Sequence, residues 1–80
     1  MKINPSFPST PSFVVCVDNA EYPASLERRK IYQVLPDEQA AQHSMLRVVD
    51  ESGEDYLYPA DYFLAVELPQ PVQRALALAA

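Results

Sequence analysis

The side chains able to do chemistry are few in this chain and widely spaced. There is one histidine, His43, and one cysteine, Cys16, in 80 residues. A nucleophilic thiol needs a base or a positive charge beside it. The neighbours of Cys16 are Val14, Val15, Val17 and Asp18, which supply neither. Cys16 therefore reads as a small buried hydrophobe. His43 ends the polar segment Gln39-Ala40-Ala41-Gln42 and reads as a surface residue. Metal binding or general-base work would need partners that the sequence does not identify. No Cys/His set has the make-up of a zinc site. A single glycine, Gly53, rules out a phosphate-cradling loop. Around it stand Asp50, Glu51, Glu54 and Asp55. Four carboxylates could hold a divalent cation weakly, but the spacing is not that of a dedicated calcium loop. An acidic, solvated turn is the expectation. Paired carboxylates for acid–base catalysis need a cleft, which so small a domain seldom has. The chain is expected not to be an enzyme, with no catalytic residues, no metal and no cofactor.

Charge narrows the partners. Six basic and eleven acidic residues leave a net charge of −5, which phosphate backbones repel. Nucleic acid is excluded as a general partner. Arg28, Arg29 and Lys30 form the only basic cluster. It reads either as an anion or acidic-partner site or, preferably, as an exposed turn offsetting nearby acids. Lys2, Pro5 and Pro8 have the spacing of a basic-x-x-Pro-x-x-Pro ligand, and Pro11 extends the period of three. Polyproline II geometry puts such residues on one face. The preferred reading of 1–12 is a flexible, solvated Pro/Ser-rich arm whose spacing is accidental.

The elements that must position these residues are mostly strands. Phe13-Val14-Val15-Cys16-Val17 is continuously apolar, as in a strand packed on both sides. Residues 18–30 form a long loop, with Asn19 and Pro23 as turn formers and Tyr22 and Leu26 folding back. Five strands are expected near 13–18, 30–35, 45–50, 55–59 and 64–68. The third and fourth make a hairpin around Ser52-Gly53. A loop of two residues, or of four from Glu51 to Glu54, pairs Val49 with Tyr56, Val48 with Leu57 and Arg47 with Tyr58. Both alternating sets contain apolar residues, so the buried face stays open. Pro36, Asp37 and Glu38 favour the start of a short helix over 39–43. Pro69 and Pro71 break the sheet, and 72–80 is rich in Ala and Leu, with Val72, Ala75, Leu76 and Ala79 on one face. That helix is expected to cap an open end of the fold or to dock a partner or a second copy. Expected core residues are Val15, Leu26, Ile31, Val34, Val48, Leu57 and Phe63.

The corner between the last two strands carries a resemblance. Tyr58-Pro59-Ala60-Asp61-Tyr62-Phe63 resembles the corner of Src-homology 3 (SH3) domains, and the run from Ser25-Leu26 through Arg28-Arg29-Lys30 to Val34 resembles their basic turn and second strand. Coarsely, the likeness spans 13–68; its motifs are two short segments. The same text resembles short uncharacterised bacterial proteins. The resemblance implies a mainly β fold: a five-stranded SH3-like barrel over 13–68 with a short helical turn, preceded by the arm at 1–12 and followed by a C-terminal helix at 69–80. It also implies a binding groove. Residues matching Pro59 and Tyr62 line that groove in the resembling domains, and a first-loop tyrosine, matched by position to Tyr22, joins them. Tyr58 reads as core, and Tyr62 equally as a groove residue or as a pin for the corner. Glu21 and Asp61 favour a positively charged ligand. The chain departs from the pattern in lacking Trp and in having Lys30 where a turn glycine is common. Both departures bear on peptide binding more than on the barrel.

The expected function is a non-enzymatic protein-interaction module, or alternatively a small accessory subunit of a larger bacterial complex. The expected partner is another protein, with neither nucleic acid nor membrane. A monomer is favoured, with a homodimer as the alternative. One cysteine suits a reducing cytoplasm, Pro5, Pro8 and Pro11 interrupt any signal-peptide core, and no apolar run reaches the length of a membrane span.

Overall fold

Uninterrupted apolar residues at the start of the described chain form β1, Phe13–Cys16. The computed structural model describes residues 13–79, so the arm expected at 1–12 lies outside them. After a 14-residue connection comes β2, Ile31–Leu35. A short helix, α1 (Glu38–Gln42), leads into β3 (Met45–Val49) and β4 (Asp55–Pro59). One turn of 3₁₀ helix at Ala60–Tyr62 precedes β5 (Phe63–Ala65), and α2 (Gln70–Ala79) follows. The strands match the expected ones closely; β5 is shorter, stopping at Ala65. All five lie antiparallel in one sheet of order β4-β3-β2-β1-β5. No ladder joins β4 to β5 among the described residues, so the sheet is open.

Strand alternation sorts the side chains onto two faces. Val14 and Cys16 of β1, Tyr32 and Val34 of β2, Val48 of β3 and Tyr58 of β4 point into one core. Leu26 from the 17–30 connection, together with Tyr62 and Phe63, completes it. Val15 and Ile31, expected inside, pair across the second face and are only partly buried. That second face is where α2 lies. Leu76 lines a cavity with Phe13, Ile31, Gln33 and Val49, while Gln73 and Ala77 line another with Phe13 and Gln33. The helix thus crosses a sheet face, and Val72 and Leu76 still keep more than a third of their surface exposed.

The hairpin register differs from the expected one by a single residue. Val49 pairs with Asp55, Val48 with Tyr56, Arg47 with Leu57 and Leu46 with Tyr58. The cause is the turn. The Asp50 N–H donates to the Glu54 carbonyl (3.0 Å) and the Gly53 N–H to the Asp50 carbonyl (3.0 Å). Three residues therefore lie between Asp50 and Glu54, with Gly53 at φ +85° in the position that needs the left-handed region. Loops of two or four residues give one pairing, and an odd loop gives its neighbour. A slip of one residue exchanges the faces of the strand. Tyr58 is consequently 3% exposed and Leu57, expected in the core, 40% exposed.

The start of α1 is fixed by Asp37, whose side chain accepts from the Ala40 N–H at 2.9 Å. The cap is thus the aspartate, with Pro36 just outside it. Arg47 holds the same carboxylate at 2.8 Å and reaches Asp55 at 3.0 Å, tying α1 to both strands of the hairpin.

Candidate functional site

The 17–30 connection is an ordered loop. The Asn19 carbonyl accepts from the Tyr22 N–H, and the Tyr22 carbonyl accepts from Ser25 and Leu26. The Asn19 amide donates to the Leu26 carbonyl at 2.9 Å. These bonds drive Leu26 into the core and leave Tyr22 at the surface, 38% exposed. The Tyr22 ring meets Tyr58 edge-on, with centroids 5.0 Å apart and planes at 87°. It meets Tyr62 at 6.1 Å and 64°. Tyr22 and Tyr62, two of the three expected site residues, therefore come together. Pro59, the third, is half-buried and stands immediately before the 3₁₀ turn that carries Tyr62. Tyr62 itself is buried, and its hydroxyl donates to Glu21 at 3.3 Å. Burial, then the Glu21 charge, push its pKa up.

On the other side of Tyr22 the loop meets the hairpin turn. Asp50 is the one buried charged residue among those described. Its carboxylate accepts from the Ser52 N–H (2.9 Å), the Ser52 hydroxyl (2.6 Å) and the Tyr58 hydroxyl. Burial alone would raise the Asp50 pKa, but the bonds from Ser52 and Tyr58 outweigh it and hold the group below the ordinary carboxylate range. Tyr58 is pushed up to about 12, by burial first and by Asp50 second. At neutral pH the pair is therefore a carboxylate and a neutral phenol that donates to it.

Glu51 ties the turn to the loop. It accepts from Lys30 at 2.6 Å and from the Tyr32 hydroxyl at 2.5 Å. Its N–H donates to the Ser25 carbonyl at 3.0 Å, and the Tyr32 hydroxyl accepts from the Glu27 N–H at 2.7 Å. Lys30, then Tyr32, lower the Glu51 pKa. Of the basic cluster, Lys30 thus offsets a neighbouring acid. Between loop and turn lies an open groove of about 420 Å³ lined by Tyr22, Ser25, Asp50, Ser52, Tyr56 and Tyr58, with Leu57 at its side. Asp50 and Tyr56 are the residues that sequence reasoning did not assign to a site. The available signal was the Asp50-x-Ser52 pair, which suits an Asx turn. The odd loop length turns the face that Tyr56 and Tyr58 share toward Tyr22.

His43 caps the C-terminal end of α1 and is exposed. Cys16 is buried, its thiol donates to the Asp18 carbonyl at 3.3 Å, and burial pushes its pKa up. Among the described residues no group of three or more His, Cys, Asp or Glu side chains is placed to hold a metal ion. No helix among them is long and apolar enough to cross a membrane. No protein-family model matches the chain, and no curated protein or solved structure is significantly similar to it.

Proposed function

We propose that this chain is a non-enzymatic protein-interaction module built as an SH3-like barrel, with its binding face at Tyr22, Pro59 and Tyr62. Three features support the barrel: β1 to β4 follow one another across the sheet, β5 returns beside β1, and a 3₁₀ turn joins the last two strands. The observation that carries the binding role is Tyr22, an exposed ring braced edge-on by two buried ones. A braced tyrosine offers a flat apolar surface and a hydroxyl, with little side-chain freedom left to lose on binding. The partner is another protein, met in the cytoplasm. Glu21 and Asp61 beside the face favour a segment carrying positive charge. No catalysis and no cofactor belong to this reading.

A second reading, a small accessory subunit, is favoured by Val72 and Leu76, apolar residues left exposed on α2. One experiment separates the two. The immobilised chain selects binders from a randomised ten-residue peptide library, and the binders are mapped by amide chemical shifts. Shifts at Tyr22 and Tyr62 are expected. Selection of no peptide, with a chain that self-associates in sedimentation, would favour the subunit instead.

A further inference from the structure

The open sheet has two outer strands, β4 and β5, and its two edges are guarded differently. An outer strand presents unpaired N–H and C=O groups along one side, and proteins blunt such an edge with charge, proline or cover. On β4 the guards are present. The Asp50 N–H bonds the Glu54 carbonyl and the Ala60 N–H bonds the Ser44 carbonyl at 2.8 Å, so even-numbered residues turn their backbone toward β3. The outward positions are Asp55, Leu57 and Pro59, with a charge at one end and no N–H at the other. On β5 the guards are missing. The Tyr62 carbonyl accepts from the Val17 N–H at 2.8 Å, and the Val66 N–H donates to the Phe13 carbonyl at 3.1 Å. Even-numbered residues thus face β1, and Phe63 and Ala65 turn their backbone groups outward. The Phe63 N–H returns to the Ala60 carbonyl, which leaves the Phe63 C=O and both groups of Ala65 at the edge. Phe63 to Val66 holds no charge, proline or glycine. Leu64, the middle residue of β5, is 61% exposed, more than any other large apolar residue among those described.

We propose that two copies of this chain pair reversibly, β5 against β5, antiparallel about a twofold axis at Ala65. The edge calls for an extended segment with free N–H groups. The chain's own residues 1–12 include Pro5, Pro8 and Pro11, which interrupt any ladder. A second β5 meets the requirement. Ala65 of one copy exchanges its N–H and C=O bonds with Ala65 of the other, and its small side chain lets the strands approach at the axis. Leu64 of each copy lies beside Val66 of the other, so apolar side chains meet across the new ladder. Phe63 stands opposite Glu67, so no like charges are opposed. So short an edge buries too little for a permanent dimer, which makes the pairing concentration-dependent.

The inference goes beyond the interaction-module reading, and a monomeric variant keeps the two apart. Sedimentation equilibrium of the full chain up to about 1 mM is expected to show monomer and dimer. Amide exchange locates the contact. Protection of Ala65 should rise with concentration, while Leu64, turned toward β1, is protected throughout. Ala65→Pro removes an outward N–H and no bond within the sheet, so the amide spectrum should stay that of the folded chain while the dimer is lost. Leu64→Lys, at an exposed position, is expected to weaken pairing about tenfold or more. Each copy carries a net charge of −5, so added salt should strengthen the dimer. A chain that stays monomeric at about 1 mM overturns the pairing. So does a dimer that survives Ala65→Pro, a dimer weakened by salt, or concentration-dependent protection confined to α2. The last result would favour the accessory subunit. The Ala65→Pro chain also enters the peptide selection described above, so loss of the dimer and loss of the binding face are read separately.

Discussion

At the scale of single residues, the Asp50–Tyr58 pair governs how stability responds to acid. Tyr58 keeps its proton throughout the neutral range, so the titrating member is Asp50. Its folded pKa lies below the unfolded value of about 4. A depressed carboxylate contributes stability that is fully present above the unfolded pKa and lost as pH falls through the folded one. Glu51, lowered by Lys30 and Tyr32, acts in the same direction. The melting temperature should therefore change little from about pH 6 to 8 on their account and fall steeply below about pH 4. Asp50→Asn should lower stability at neutral pH, on the order of 1–3 kcal/mol, because Tyr58 and Ser52 lose a charged acceptor in a buried place. It should also flatten the acid limb of a melting-temperature profile. An acid limb unchanged in the variant would show that Asp50 does not titrate differently on folding.

At the scale of elements, the β3–β4 hairpin shows what could be read from the sequence and what could not. Strand positions were legible from apolar runs and from the breaks at Pro36, Pro59 and Pro69. The loop's parity was not, because it is decided by hydrogen bonds of Asp50 and Ser52 rather than by hydrophobic pattern. Both faces of β4 carry an apolar residue, Leu57 on one and Tyr58 on the other, so the pattern gave no arbitration. Part of the candidate site was legible in the same sense: Tyr22 and Tyr62 stood out by position, whereas Asp50 and Tyr56 join the groove only through the register. Leu57→Ser should then cost less than about 0.5 kcal/mol in urea unfolding, and Tyr58→Ala about 3–5 kcal/mol. The reverse order would restore the even loop. Gly53→Ala isolates the turn itself. A Cβ there would meet nothing within 4 Å, so the penalty comes from φ +85° alone. It should be about 1 kcal/mol, and Gly53→Asn should recover part of it. A cost near zero would mean that the turn has another conformation in solution.

At the scale of the whole molecule, the sheet has two apolar faces and one core. The core face is closed by Leu26, Tyr62 and Phe63. The second face, with Phe13, Ile31 and Val49, depends on α2 for cover. Ten residues of helix are marginal alone, so α2 and that face support each other. Removing 70–80 should leave a β-type circular dichroism spectrum, lower the melting temperature and produce concentration-dependent self-association in sedimentation. A truncated chain that stays monomeric and melts at the same temperature would show that α2 gives the sheet nothing. The amphipathic spacing of Val72 and Leu76 announced the helix, but not its seat. Phe13 and Val15 read as strand interior whichever face they occupy, so the sequence held no sign that the second face would need a lid of its own.

Cys16 ends β1 with no exposed surface, and its thiol is less acidic than usual. It is also the only sulfhydryl in the chain. An alkylating reagent can reach it only when the strand leaves the sheet, and only the thiolate reacts. The rate of labelling thus serves as a clock for opening of the interior, readable by mass spectrometry without added denaturant. If β1 opens only with the whole fold, labelling should slow about tenfold for each 1.4 kcal/mol of global stability. Tyr58→Ala should accelerate it strongly, while Leu57→Ser should leave it unchanged. Labelling faster than global unfolding allows would reveal that β5 lifts away from β1 by itself, exposing the thiol through the side of the sheet.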